Sequence, residues 1–174
     1  MLLKAAPPWR ALLKKPVFIG VTGSVGKTTT KELLLGVLGS KGRGIGTVGS
    51  MNNIDATAQA LLRLRRNDNF FVAELSEDKP GVMNDQLTLL RPSIGIVTVV
   101  GNDHWSAFGS REAIADEMRK LIASLPLAGS DAMSLRISSA MASREPNALQ
   151  WSLPTTVTTP TLGRSSDKIG RAHV

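Results

Sequence analysis

Cysteine is absent from this 174-residue sequence, so neither a disulfide framework nor a cysteine-ligated zinc site can hold it together. Long apolar runs are absent too, and no stretch is long enough to span a bilayer. Residues 1–15 carry Lys4, Arg10, Lys14 and Lys15 without an acid, but their apolar runs are only two or three residues long. They lack the central apolar region of a signal peptide, and a cytoplasmic protein is the expectation. Aromatics make up only 4% of the chain and the basic residues are scattered, which argues against a stacking platform for single-stranded nucleic acid. What is present, 42% hydrophobic and 20% charged residues, reads as one soluble globular domain with a real core. The formal net charge of +7 asks for an anionic partner. A nucleotide or an acidic small substrate satisfies it as well as nucleic acid does.

The most informative stretch is Val17-Phe18-Ile19-Gly20-Val21-Thr22-Gly23-Ser24-Val25-Gly26-Lys27-Thr28-Thr29-Thr30. An apolar run, a glycine-hinged turn, then a lysine and hydroxyls opening an amphipathic segment spell strand, loop and helix start, the arrangement that cradles nucleotide phosphates. Gly23 and Gly26 can adopt backbone angles that turn successive N–H groups inward, aided by the helix dipole. The loop from Gly23 through Ser24, Val25, Gly26, Lys27, Thr28 and Thr29 is therefore the candidate ATP cradle. Lys27 would reach the terminal phosphates and Thr28 would hold a magnesium ion. Val21 stands where the longer form of this pattern has its first glycine, leaving the short Gly-x-x-Gly-Lys-Thr form. A glycine-rich turn with a surface lysine is the plain alternative, and the flanking strand and helix argue against it.

Taken in order, residues 1–15 read as a basic arm with a short helix over 9–15 that Pro16 closes. Strands are expected at 17–22, 45–50, 70–75 and 93–100, the last rich in β-branched residues. Helices are expected at 27–38, with Leu34, Val37 and Leu38 on one side, and at 54–66, 82–90 and 111–125. The last is capped by Ser110 and striped by Ile114, Met118, Leu121, Ile122 and Leu125. Strands alternating with helices imply an α/β fold: a mainly parallel, doubly wound sheet with helices on both faces, here a single incomplete domain over 16–130. Ligands of such sheets sit at the carboxyl ends of strands, where the phosphate loop, Glu74 and His104 all fall. Residues 131–174 hold little periodic apolar pattern and many Ser, Thr and Pro, and nothing there specifies a further strand. An irregular tail is expected. Its ending, Ile169-Gly170-Arg171-Ala172-His173-Val174, matches what a common DNA-library adapter would encode, so a gene fragment read past a frameshift near Ser130 is the sharper expectation.

The ordered set Thr22-Gly23-Ser24-Val25-Gly26-Lys27-Thr28-Thr29-Thr30-Lys31, Asn52-Asn53-Ile54, Ala73-Glu74-Leu75, Pro80-Gly81, Arg91-Pro92 and His104 with Phe108-Gly109-Ser110 resembles the central ATPase domain of the Mur ligases. It is most like the branch that adds D-alanyl-D-alanine to the cell-wall precursor. The resemblance implies a cytoplasmic ligase of peptidoglycan synthesis that activates a carboxylate with ATP as an acyl phosphate, which an amine attacks to give an amide. By the same resemblance Lys27 stabilises the migrating γ-phosphoryl group, Thr28 and Glu74 hold magnesium, and His104 holds a second magnesium near the acyl phosphate. Asn52 and Asn53 line the substrate side, although Asn53 could equally be a helix cap. Phosphoryl transfer between two anions needs a cation clamp, and magnesium prefers oxygen ligands, so a hydroxyl and a carboxylate suit it. His104 is a less usual magnesium ligand. Glu74 could be a plain strand-end acid, and Trp105 and Phe108 read as loop packing.

Many members of that family carry a carbamylated lysine at the position of Met118, which here lies on the helix's apolar stripe. The resemblance also implies flanking domains, one for the carboxylate substrate and one to bring the amine and close over ATP, that this chain lacks. Alone it would bind nucleotide without finishing a ligation. Two other classes compete: a P-loop kinase or nucleotide switch of another family, against which Asn52-Asn53 and His104 argue, and a basic nucleic-acid-binding module with a fortuitous loop. No specific nucleic acid and no membrane span are expected.

Overall fold

The computed structural model describes residues 2–126 and 136–138. In chain order the elements are α1 (Leu2–Leu12), β1 (Val17–Thr22), α2 (Lys27–Gly39), β2 (Gly44–Gly46), α3 (Ile54–Arg63), β3 (Phe70–Glu74), α4 (Val82–Leu90), β4 (Ile94–Val97), the single-turn α5 (Trp105–Phe108), α6 (Arg111–Ala123) and β5 (Arg136–Ser138). The strands form one parallel sheet in the order β2-β3-β1-β4-β5. β1 lies at its centre because its residues are apolar in unbroken succession, and both faces of a parallel strand are covered.

Alternation along the strands divides the core into two sides. Ile19 and Val21 of β1 with Phe70 and Val72 of β3 meet Leu34, Leu35 and Leu38 of α2. Phe18, Phe71 and Ala73 face the other way, into a cluster with Ala58 and Leu61 of α3, Met83, Leu87 and Leu90 of α4 and Leu121 of α6. Gly20 and Gly95 pair across β1 and β4, and a Cβ on either would lie 2.9 or 3.0 Å from Leu121. Both glycines are therefore what lets α6 sit close on the sheet.

The expected α/β sheet is present, with several local differences. The N-terminal helix spans Leu2–Leu12 instead of 9–15, with Pro7 and Pro8 inside it. It is docked on the domain, as Ala6 and Leu13 are buried, Trp9 Nε1 donates to the Leu64 carbonyl at 3.2 Å, and the Arg10 guanidinium lies 3.3 Å over the Phe18 ring centroid. In α2 the inward stripe is the buried Lys31 with the half-buried Leu34, Leu35 and Leu38. Val37, expected on that side, is 67% exposed. Strands β2 and β4 are shorter than the apolar runs that announced them. Beyond Val97 the chain turns to the phosphate loop, where the Val99 carbonyl accepts from Ser24 N and Thr98 Oγ1 donates to the Val25 carbonyl, and beyond β2 Thr47 Oγ1 accepts from Glu74 N. Residues 136–138, where no strand was expected, pair with β4 as β5. The adapter-like ending and the rest of the irregular tail lie outside the described residues.

Candidate active site

The loop after β1 is shaped by its glycines and held by its neighbour strand. Gly23 has φ 134° and Gly26 φ 86°, the left-handed region that favours glycine. A Cβ on Gly23 would in addition fall 2.1 Å from Thr98 Oγ1. Ser24 N donates to the Val99 carbonyl (2.9 Å), Thr98 Oγ1 donates to the Val25 carbonyl (2.6 Å), and Gly101 N donates to Ser24 Oγ (2.7 Å). The loop is thus pinned before any ligand arrives, and the N–H groups of the first turn of α2, including Thr28 and the exposed Thr29, have no partner inside the helix.

Two glutamates meet the loop's cationic and hydroxyl groups. Thr28 Oγ1 donates to Glu74 Oε2 at 2.9 Å, at the tip of β3. Lys27 Nζ donates to the Gly23 carbonyl at 2.6 Å and to Glu77 Oε1 at 2.5 Å, while Thr22 Oγ1 donates to Glu77 Oε2 at 2.8 Å. Glu77 is fully buried, and burial raises its carboxyl above the ordinary value. The Lys27 hydrogen bond and charge and the Thr22 hydroxyl oppose that, and Asp103 adds to it. Glu74 is itself buried, with Lys31 Nζ 3.8 Å from its Oε2. Lys31, wholly out of solvent, also donates to the carbonyls of Thr47 (2.9 Å) and Gly49 and pairs with Glu32 (3.1 Å).

His104 adopts φ 56°, a left-handed backbone uncommon for a non-glycine residue. Its Nε2 lies 3.5 Å from Asp78 Oδ1 and 3.8 Å from Asp103 Oδ2. One ligand atom each from Glu77, Asp103 and His104 falls within 4.8 Å of the others, the one such three-residue group among the described residues. Thr28 and Glu74 offer hard oxygen donors, a set that fits magnesium. Asn53 caps α3, its Oδ1 accepting from Ala56 N at 2.8 Å, and the Asn52 carbonyl accepts from Ser76 N at 3.0 Å, so this pair is tied to the strand that ends in Glu74. Met118 is buried with Val97 and Ile114, as its place on the stripe predicts.

Sequence reasoning did not single out Glu77 or Lys31. Glu77 stands in a polar loop with no periodicity to mark it. Lys31 had a signal, since spacing of three and four puts it on the same face as Leu34, Leu35 and Leu38, and an inward lysine near a carboxylate is unusual.

The Mur ligase middle domain model matches residues 21–161. The chain belongs to the Mur ligase family. The UDP-N-acetylmuramoyl-tripeptide--D-alanyl-D-alanine ligase of Synechocystis sp. is 38% identical over 121 residues, 70% of this chain and 26% of that protein. Among solved structures, MurF from Acinetobacter baumannii superposes with a TM-score of 0.72 at 25% identity, covering 80% of this chain and 30% of that one. MurF from Thermotoga maritima in complex with ADP gives 0.69 at 27% identity, covering 79% and 31%. This Mur ligase chain thus spans about a quarter to a third of the length of the relatives it matches. Membership in the family disfavours both the kinase or switch of another family and the nucleic-acid module. Among the described residues, no helix is long and apolar enough to cross a membrane.

Proposed function

We propose that this chain is the nucleotide-binding core of an ATP-dependent carboxylate–amine ligase of peptidoglycan precursor synthesis, working in the cytoplasm. In the reaction a carboxylate oxygen bonds to the γ-phosphorus as the bond to the β-phosphate oxygen breaks, releasing ADP. An amine nitrogen then bonds to the acyl carbon, loses a proton and displaces phosphate. The observation that carries the reading is the gathering of Lys27, Thr28 and Glu74 at the neighbouring ends of β1 and β3, on the middle domain of this family.

Lys27 lies in the phosphate loop with its ammonium already inside the site, where it can follow charge onto the migrating phosphoryl group. Thr28 and Glu74 are the residues to hold a magnesium ion, and His104 the one to approach a second. Magnesium bound there would neutralise the charge that gathers between two anions. Gly23, Ser24, Val25, Gly26 and Thr29 shape the cradle around the phosphates. Asn52 and Asn53 face the carboxylate substrate, for which the D-alanyl-D-alanine-adding relatives make a UDP-muramoyl peptide the first candidate and D-alanyl-D-alanine the amine.

Calorimetry on this chain tests the binding half: magnesium-dependent uptake of ATP is expected, and Lys27→Met should abolish it. Protein of the relatives' full length tests the chemistry. ADP release is expected only when carboxylate is supplied, and turnover indifferent to any carboxylate overturns the ligase reading.

A further inference from the structure

The net charge of the chain is gathered at one end of the sheet. Four connections lead from a helix into a strand: residues 13–16 (Lys14, Lys15) into β1, 40–43 (Lys41, Arg43) into β2, 64–69 (Arg65, Arg66) into β3 and 91–93 (Arg91) into β4. Against these seven cations they hold one acid, Asp68, a net +6 beside +7 for the whole chain. All seven are exposed, whereas Asp68 is buried and already held by Arg43 at 3.1 Å and by Arg65 N at 2.8 Å. The connections at the opposite, nucleotide end carry Glu77, Asp78, Lys79 and Asp103, so the two ends differ in sign. Strands β2, β3, β1 and β4 are neighbours in that order, and at roughly 4.8 Å per strand the basic connections form a row about 15 Å across. Cations are favoured at helix C-termini, but the last turns of α2 and α4 contain none, and the side chains of Lys14, Lys41 and Arg65 have no partner among the described residues. After burial, the nearby Arg91 charge is what lowers the Arg10 guanidinium, so like charges crowd this end. An anion outside the fold would relieve them.

The neighbours of the row say which anion fits. Among the described residues no aromatic ring is offered there to a nucleic-acid base: Arg66 lies over Trp9, whose Nε1 donates to the Leu64 carbonyl, and Phe18, Phe70 and Phe71 are buried. Leu12 and Val17, by contrast, stand 50% and 42% exposed on either side of Lys14 and Lys15. Apolar side chains flanked by lysines suit the boundary between lipid headgroups and acyl chains. We infer that this basic end docks on the surface of an anionic lipid bilayer, with the nucleotide site at the far end of the sheet and turned away from the lipid. The contact is peripheral and weakened by salt. It goes beyond the proposed function and does not depend on it.

Co-sedimentation with vesicles tests it. The chain should pellet with vesicles of equal parts phosphatidylglycerol and phosphatidylcholine, stay in solution with phosphatidylcholine alone, and be released as salt is raised. Each cation near the surface contributes about fivefold in affinity, so the triple variant Lys14→Gln, Lys41→Gln, Arg65→Gln should bind about a hundredfold more weakly while melting where the parent does. Lys79→Gln removes an exposed cation at the nucleotide end and should change nothing, and Leu12→Ser should weaken binding. If the triple variant folds poorly, Lys41→Gln alone, at about fivefold, and the salt series on the parent decide. Equal binding to the neutral vesicles, or a Lys79→Gln effect as large as that of Lys41→Gln, overturns the inference. So does a DNA duplex that strips the chain from the vesicles at equal phosphate concentration, which would make nucleic acid the partner. Failure of the chain to take up magnesium and ATP overturns the proposed function instead and leaves the vesicle result standing.

Discussion

Lys31 shows most plainly how one side chain serves both stability and the site. An ammonium with no solvent exposure survives only because the carbonyls of Thr47 and Gly49 accept from it and Glu74 and Glu32 lie close. Those contacts tie the phosphate-loop helix to the end of β3 and to the segment leading into Asn52 and Asn53. Lys31→Met keeps the stem but leaves two carbonyls and Glu74 without their cation. A loss of roughly 3–5 kcal/mol is expected, read from urea midpoints, together with a higher magnesium requirement for nucleotide binding in the fraction that stays folded. A variant of unchanged stability would mean the ammonium is not held as the structure shows.

Glu117 presents the opposite balance from Glu77. Burial would raise its carboxyl, but the N–H of Gly81 (3.0 Å), the Lys120 ammonium (2.7 Å) and the N–H of Met83 (3.0 Å) outweigh it and hold it below the ordinary value. In the window between its folded value and 4.5 the unfolded chain binds more protons. Its contribution is therefore complete above that window and lost as pH falls through the folded value. Glu117→Gln should cost about 1–3 kcal/mol at neutral pH and should flatten the acid limb of a stability-against-pH curve. An acid limb as steep as the parent's would place the titration elsewhere.

At the scale of elements, the docking of α1 joins a small apolar face, Ala6 and Trp9, to one polar anchor, Arg10. Arg10 stacks on Phe18 and donates to the carbonyls of Leu90 (2.7 Å) and Arg91 (2.9 Å), closing the C-terminal end of α4, where Arg91 turns left-handed. Burial, with Arg91 nearby, lowers its guanidinium to about 10, which leaves it charged at neutral pH. A lysine cannot reproduce the planar stack and the two-carbonyl fork, so Arg10→Lys should cost roughly 1–2 kcal/mol in chemical denaturation, whereas a surface arm would show no change. This docking was not legible in the sequence. Prolines at 7 and 8 argue for a break, and the partners, Leu64, Phe18 and Leu90, are distant in the chain.

What was legible had local causes. β1, α4 and the Ser110 cap of α6, accepting from Ala113 N at 3.1 Å, stand where apolar runs, Pro92 and a capping serine put them. The phosphate loop was readable because only glycine tolerates φ 134° against Thr98. The facing of Val37 and the strand at 136–138 were not, since one depends on which side of α2 meets the sheet and the other on pairing with β4. Of the candidate site, Thr28 and Glu74 were named from type and place, and the structure brings their side chains within 2.9 Å. Glu77 was missed because a buried acid three residues past a strand has no pattern until Lys27 is seen against it.

Taken whole, the molecule gathers its site from the ends of β1, β3 and β4 and the first turn of α2, so a ligand there binds only when all four are in register. Nucleotide must then stabilise the entire fold, not one loop. At a free concentration of about one hundred times the dissociation constant the linkage is roughly 2.7 kcal/mol, which for a domain of this size raises the melting temperature by about 5–15 °C. Magnesium with ADP should produce that shift and EDTA should remove most of it, because the phosphates would then face Glu74 and Glu77 without a dication between them. Thr28→Ala should shrink the magnesium-dependent part. Asn53→Ala, which only uncaps α3, should lower the starting point by about 1 kcal/mol and leave the increment intact if the asparagine acts on the carboxylate side. An increment that survives EDTA unchanged would mean the nucleotide is held by the loop's backbone and Lys27 alone, with Glu74 a structural acid.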